Sequence, residues 1–106
     1  MDIKETQKKV DKRIKDLGGY WQPLSMLARL VEEVGELSRA INIKHGEKRS
    51  KNENDGREIN KELADVVFTI FAIANNLGID IEEALKHKMI EDYEIDKKTY
   101  ADNNLD

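Results

Sequence analysis

Residues 59–77 constrain the fold of this chain more than any other segment. When they are placed at about 100° per residue, apolar side chains cover most of the circumference of a helix. Four of its polar side chains form one narrow stripe: Glu62, Asp65, Thr69 and Asn76. A helix that is apolar on nearly every side has to be surrounded. One chain of 106 residues can hardly enclose it, so we expect a homodimer or homotetramer, with the polar stripe facing the preceding helix.

Three other stretches carry apolar residues at helical spacing: residues 2–17, residues 24–43 and the segment from residue 81 onwards. Gly18 and Gly19 suit the end of the first helix, and Pro23 suits the first turn of the second. Alternation of period two is absent, so the sequence predicts no strand. We expect an all-α, four-helix chain, folded as a single domain over residues 1–106, that forms an oligomeric helical bundle.

Polar segments separate and end these helices. Apolar residues are missing between about residues 44 and 57, which predicts a polar loop. Two pairs match the capping box that opens a helix: Asp55 with Glu58, and Asp80 with Glu83. The fourth helix should fray beyond Lys97 and Lys98 and give way to a polar tail over about residues 100–106.

Composition excludes several functional classes. The chain has no cysteine and only two histidines, which rules out a thiol nucleophile and argues against a zinc site. Its formal charge of −4 and its pI of about 5.3 argue against binding to a nucleic-acid polymer, which requires a basic surface. The N-terminus lacks the apolar segment of a signal peptide, and no charge-free stretch approaches the length that spans a membrane. We therefore expect a cytoplasmic protein without a membrane partner.

Two acidic motifs carry the functional prediction. The first is E-E-x-x-E at Glu32, Glu33 and Glu36, and the second is E-x-x-D at Glu62 and Asp65. Carboxylates three residues apart project from one helix face, where like charges repel each other. If the two helices pack together, the acidic pairs face each other and a cation has to offset the repulsion. Oxygen ligands without nitrogen or sulfur favour Mg²⁺ or Mn²⁺, and Mg²⁺ keeps waters that a phosphate can replace.

Asp65 is the strongest single signal in these motifs. It is the only charged residue in the segment 63–74, and an ionised carboxylate in so apolar a run is costly without a cationic partner. The alternative is that the acidic residues form ordinary solvated helix faces, which suits Glu32 and Glu36 because arginines flank them. The paired pattern as a whole favours the metal hypothesis.

Three segments together resemble a known family: residues 30–37 (LVEEVGEL), residues 62–67 (ELADVV) and residues 77–85 (LGIDIEEAL). With 25 residues between Glu36 and Glu62, the pattern is similar to that of the MazG-like nucleotide pyrophosphohydrolases of the all-α NTP pyrophosphatase superfamily. The resemblance implies a Mg²⁺-dependent enzyme, with Mn²⁺ as a possible substitute. Its reaction would hydrolyse a (deoxy)nucleoside triphosphate to a nucleoside monophosphate and pyrophosphate, as housecleaning of the nucleotide pool.

The same resemblance implies roles for individual residues. The metal ligands would be four carboxylates: Glu33, Glu36, Glu62 and Asp65. Glu32 would orient or deprotonate the attacking water. Trp21 and Gln22 lie just before the second helix, where relatives place residues that contact the base. Lys88 and Asp92 match a segment that approaches the phosphates, although this chain has Asp92 where the family often has asparagine.

Two other functions stay open at the level of sequence. Phosphoribosyl-ATP pyrophosphohydrolase of histidine biosynthesis shares the acidic layout. The short segment at residues 21–23 and the long loop before the third helix favour the MazG-like branch over that enzyme. In a noncatalytic alternative, the acidic helices form a metal-stabilised interaction module that turns over no substrate.

Overall fold

The computed structural model describes residues 1–46 and 59–103. Four helices make up most of this part of the chain: α1 (Ile3–Asp16), α2 (Pro23–His45), α3 (Ile59–Asn76) and α4 (Ile81–Asn103). No strand occurs within these residues. The prediction of an all-α, four-helix chain is therefore confirmed. Most of the predicted polar loop, together with the capping pair of Asp55 and Glu58, lies outside the described residues.

Glycines and acidic caps set the helix ends that frame the site. Between α1 and α2, Gly18 and Gly19 have φ angles of 116° and 97°, which favour glycine. The amide of Gly19 donates to the carbonyl of Ile14 at 2.9 Å, closing the end of α1 as predicted. At the start of α4, one carboxylate oxygen of Asp80 accepts from the amides of Glu82 and Glu83, which confirms the predicted cap.

The fourth helix is longer than its sequence pattern predicts. It continues to Asn103, past the expected fraying point and through the first part of the expected tail. Contacts along its own surface support this length, since Lys88 lies 3.7 Å from Asp92 and 3.3 Å from Asp96. The hydroxyl of Thr99 also donates to the carbonyl of Ile95 at 3.0 Å. These local pairs stabilise the helix without any contribution from burial, because no residue of α4 is buried.

A small core joins the first three helices. Its buried members are four apolar side chains: Val10, Met26, Phe71 and Ala72. The helices α2 and α3 pack mainly on each other, α1 packs on α3, and α4 lies against α1. Gln7 of α1 links to the turn before α4, because its side chain donates to the carbonyl of Ile79 at 2.7 Å and accepts from the amide of Ile81 at 3.1 Å. This link holds α1 against the end of α3.

The α2 face that packs on α3 includes Glu33 of the first acidic motif. The buried residues of α2 are Met26, Glu33 and Ala40, seven residues apart. Several other apolar residues of α2 stay exposed, and Val31 is 65% exposed. On α3, Val67 is 48% exposed, so neither helix is fully surrounded within one chain.

None of the described helices is by itself long and apolar enough to cross a membrane. Taken together as a pair bent by 106°, α3 and α4 are long and apolar enough to cross a membrane, judged by length and composition alone.

Candidate metal centre

Three carboxylates meet where α2 packs on α3. Glu33, Glu62 and Asp65 each offer one oxygen, and these oxygens all lie within 4.8 Å of one another. Glu33 is buried, with 7% of its surface exposed, and the other two residues are half-buried. The spacing of three residues places Glu62 and Asp65 on the same face of α3. The polar stripe of α3 therefore faces α2, as the sequence predicts.

Two of the three carboxylates are each paired with a basic side chain that lies one turn earlier on the same helix. The Nε of Arg29 donates to Oε1 of Glu33 at 2.8 Å, and the Nζ of Lys61 donates to Oδ2 of Asp65 at 3.0 Å. The hydrogen bond to Asp65 raises the pKa of Lys61, and the negative charges of Asp65, Glu62 and Glu33 add to this effect. Lys61 therefore stays protonated beside the cluster.

These contacts correct the burial argument made from the sequence. That argument treats Asp65 as a carboxylate in an apolar run for which a metal is the simplest partner. In the structure Asp65 is half-buried and pairs with Lys61, four residues earlier. The most buried acid is Glu33 instead, because it falls on the seam between α2 and α3.

The donor set fits a hard divalent cation. The three carboxylates together with Arg29 and Lys61 carry a net formal charge of −1, which still attracts a metal ion. Oxygens on opposite sides of a Mg²⁺ ion stand about 4.2 Å apart, twice the usual metal–oxygen distance of about 2.1 Å. The observed limit of 4.8 Å differs from that span by an amount that small side-chain rotations can absorb. An all-oxygen site with half-exposed members also leaves room for water ligands.

A cleft of about 730 Å³ opens beside the cluster. It combines acidic, basic and aromatic side chains from the first three helices and the turn before α2. The lining residues are Arg13, Ile14, Leu17, Gly19, Tyr20, Trp21, Met26, Arg29, Glu33, Lys61, Ala64, Asp65, Phe68, Thr69 and Ala72. Its volume falls in the range of about 300–1,000 Å³ that small-molecule sites occupy. The guanidinium of Arg13 lies 5.4 Å from the ring centre of Phe68, a cation–π arrangement within the wall.

Tyr20 anchors the turn that forms the aromatic end of the cleft. Its hydroxyl donates to a carboxylate oxygen of Asp11 on α1. Burial, followed by this hydrogen bond, raises the pKa of Tyr20 to about 12. The same bond, together with Lys15, lowers the pKa of Asp11. Next to Tyr20, the carbonyl of Trp21 accepts from the Asn76 side chain at 3.5 Å, while the Trp21 ring stays more than half exposed.

The structure distributes the other predicted site residues unevenly. Trp21 lines the cleft, and Gln22 is the N-cap residue of α2 without a capping hydrogen bond from its side chain. Glu32 and Glu36 are exposed on α2, outside the group of three carboxylates that the described residues form. Glu32 lies 3.9 Å from Arg29. The proposed roles of these residues stay predictions.

Lys88 and Asp92 lie on α4 and do not line the cleft. Their role at the phosphates also stays a prediction. In contrast, Arg29, Lys61 and Phe68 line the cleft without having been named from the sequence. The sequence does contain a signal for Arg29 and Lys61. Each stands four residues before an acid of the motifs, at the spacing that brings side chains together on a helix.

Comparison with known proteins identifies the family of the chain. Residues 21–94 match the MazG nucleotide pyrophosphohydrolase domain. The chain belongs to the MazG family. Family membership confirms the resemblance drawn from the acidic motifs and places the chain among hydrolases that act on nucleotides. The matched segment starts at Trp21 and includes all five acids of the two motifs.

Two similar proteins come from Bacillus. The uncharacterised protein YpjD of Bacillus subtilis is 43% identical over 83 residues, which span 77% of this chain and 75% of YpjD. The crystal structure of YpjD matches with a TM-score of 0.77 at 40% identity, covering 86% of this chain and 94% of that one. A Bacillus-conserved MazG protein, described as a nucleotide pyrophosphohydrolase, matches with a TM-score of 0.73 at 41% identity, covering 86% and 88%.

Proposed function

We propose that this MazG-family protein hydrolyses (deoxy)nucleoside triphosphates between the α and β phosphates, releasing a nucleoside monophosphate and pyrophosphate. The observation that carries the proposal is the group of three carboxylate oxygens within 4.8 Å of one another, at the edge of a nucleotide-sized cleft. Such a cluster supports Mg²⁺ as the metal, with Mn²⁺ as a substitute. Housecleaning of the nucleotide pool is the biological role we infer.

Glu33, Glu62 and Asp65 would hold the metal, and Glu36 is the proposed fourth ligand. When bound, Mg²⁺ supplies charge compensation for the phosphate oxygens and the departing pyrophosphate. Glu32 is the proposed base that orients the attacking water and accepts its proton. Glu32 is exposed one residue before Glu33 and lies 3.9 Å from Arg29, which lines the cleft.

The aromatic end of the cleft would receive the nucleobase. Trp21 offers a face on which a base can stack, Phe68 lines the same cleft beneath Arg13, and Tyr20 is fixed by its hydrogen bond to Asp11. Gln22 stands next to this end and could supply hydrogen bonds to base edges. The acidic and aromatic ends together match the two parts of a nucleotide, the charged phosphates and the flat base.

The deciding experiment is a panel of nucleoside triphosphates with pyrophosphate detection, run with Mg²⁺ and with a chelator. We expect Mg²⁺-dependent pyrophosphate release that Asp65→Asn and Glu36→Gln abolish while the helical circular dichroism signal is kept. Full activity in either variant removes that residue from the site. Turnover of phosphoribosyl-ATP alone favours the histidine-pathway alternative, and metal-dependent stabilisation without turnover of any substrate favours the interaction module.

We also propose that the protein is a homodimer or homotetramer. The exposed apolar side chains of α2 and α3, among them Val31 and Val67, form the surface that a second copy would cover. The cytoplasmic location stays a prediction from the sequence. A monomeric mass by light scattering at micromolar concentration would contradict the oligomer.

A further inference from the structure

Two basic side chains occupy the carboxylates that the proposed function assigns to the metal. Arg29 is bonded to Glu33, and Lys61 is bonded to Asp65, each across one turn of the same helix. Both also line the cleft in which the proposed substrate would lie. Three carboxylates so close together would repel one another strongly if no cation stood beside them. Arg29 and Lys61 therefore supply the positive charge that offsets the repulsion between these carboxylates.

A metal ion and these two cations compete for the same carboxylates. The bonded atoms are one oxygen of Glu33 and one oxygen of Asp65, from residues that both belong to the carboxylate group. A divalent ion seated among the carboxylates would stand a few ångströms from the guanidinium and the ammonium, where like charges repel. The basic groups then have to move, and their side chains can do so because they are more than half exposed.

We propose that Arg29 and Lys61 exchange partners during the catalytic cycle. In the metal-free protein they neutralise Glu33 and Asp65, and in the loaded protein they turn into the cleft and bind phosphate oxygens of the substrate. This inference rests on the proposed function, because it needs both a metal and a phosphate ligand at this site. It assigns Arg29 and Lys61 as positioning and binding residues, which neither acidic motif contains.

If this exchange occurs, one substitution should strengthen the binding of the metal and weaken the binding of pyrophosphate. Lys61→Met keeps a long apolar stem but removes the charge, so the metal no longer has a competitor at Asp65. We expect Mn²⁺ to bind this variant about two- to fivefold more tightly in the absence of nucleotide, as fits the strength of a half-exposed ion pair. Pyrophosphate should bind the metal-loaded variant about tenfold more weakly, because a charged hydrogen bond to a phosphate oxygen is lost.

Calorimetric titration tests both effects on the full chain, first with Mn²⁺ and then with inorganic pyrophosphate added to the Mn²⁺-loaded protein. Lys61→Arg should restore pyrophosphate binding, and Arg29→Met should repeat both shifts. The matched control is Lys12→Met, since Lys12 pairs with Asp16 across one turn of α1 at 2.6 Å, outside the cleft. Lys12→Met should leave both affinities unchanged.

The outcomes separate this inference from the function on which it rests. If wild-type protein binds no Mn²⁺, the proposed metal-dependent function fails. If wild type binds Mn²⁺ but Lys61→Met and Arg29→Met bind it equally or more weakly, the competition is overturned. If Mn²⁺ binds both variants more tightly while pyrophosphate affinity is unchanged, the transfer of these side chains to phosphate is overturned.

Discussion

Replacing Glu33 with glutamine tests the role of the most buried carboxylate at almost constant shape. Without metal, the change removes repulsion from Glu62 and Asp65 but also weakens the contact with Arg29. At an effective dielectric constant of about 20, two carboxylates at the 4.8 Å upper limit of the group repel each other by about 3.5 kcal/mol, and charges 2.8 Å apart attract each other by about 6 kcal/mol. Two repulsions of the first size nearly cancel one attraction of the second. We therefore expect the metal-free stability of Glu33→Gln to lie within about 1 kcal/mol of wild type.

With metal, the same substitution should have a clear effect. At a metal concentration of about 100 times Kd, binding stabilises the folded state by about 2.7 kcal/mol. This corresponds to a rise in Tm of roughly 10–20 °C for a domain of this size. Loss of one carboxylate ligand should weaken binding at least tenfold, which removes about half of the stabilisation or more. Glu33→Gln should thus keep its metal-free Tm and lose much of the metal-induced rise.

Thermal unfolding with and without Mn²⁺ measures both quantities in one experiment. Glu91→Gln is the matched control, because Glu91 is exposed on α4 and pairs with His87 across one turn at 2.9 Å. A full metal-induced rise in Glu33→Gln would show that Glu33 does not hold the metal. A loss of several kcal/mol without metal would show that the near-cancellation of charges worked out above is wrong.

Two further predictions concern the turn before α2 and the open apolar faces. Tyr20→Phe should lower the free energy of unfolding by about 1 kcal/mol at neutral pH, because the hydrogen bond to Asp11 is lost. The pKa of Tyr20 is raised to about 12, so its contribution to wild-type stability is present below about pH 10 and is lost as the pH rises towards 12. Urea unfolding at pH 8 and pH 11 should show this alkaline loss in wild type and not in Tyr20→Phe, and equal losses would refute the assignment. Val67→Glu should lower the mass measured by light scattering, whereas an unchanged oligomer would place the interface elsewhere.

Helix positions could be predicted from the sequence because local rules determine them. Apolar spacing, Gly18 and Gly19, and the cap at Asp80 act within a few residues of one another, and the structure follows them. The end of α4 follows equally local rules, yet its prediction was wrong. Pairs such as Lys88 with Asp96 span two turns and keep an exposed helix intact where apolar periodicity fades.

The meeting of the two acidic motifs could be predicted from their spacing, but that Glu33 rather than Asp65 is the more buried acid could not, because it depends on how closely each position approaches the contact between α2 and α3. Apolar residues lie on more than one side of α2, and some of them, such as Val31, stay exposed. Packing within one chain uses the seam through Met26, Glu33 and Ala40. Only the tertiary contact between the two helices decides which acid is more buried. The pairing of Lys61 with Asp65, in contrast, follows from their spacing alone.

The contacts of Glu33 in that seam explain how the chain can fold with the carboxylates of the proposed metal site in place. An apolar residue between Met26 and Ala40 would pack without any desolvation cost, so a carboxylate there is unfavourable for stability by itself. Arg29, one turn earlier, reduces that cost by a direct bond that reaches Glu33 from the solvent side. Lys61 does the same for Asp65 across one turn of α3. The metal-free chain can therefore fold with its carboxylates assembled, and under the proposed exchange the charge that made this possible becomes available to bind phosphate.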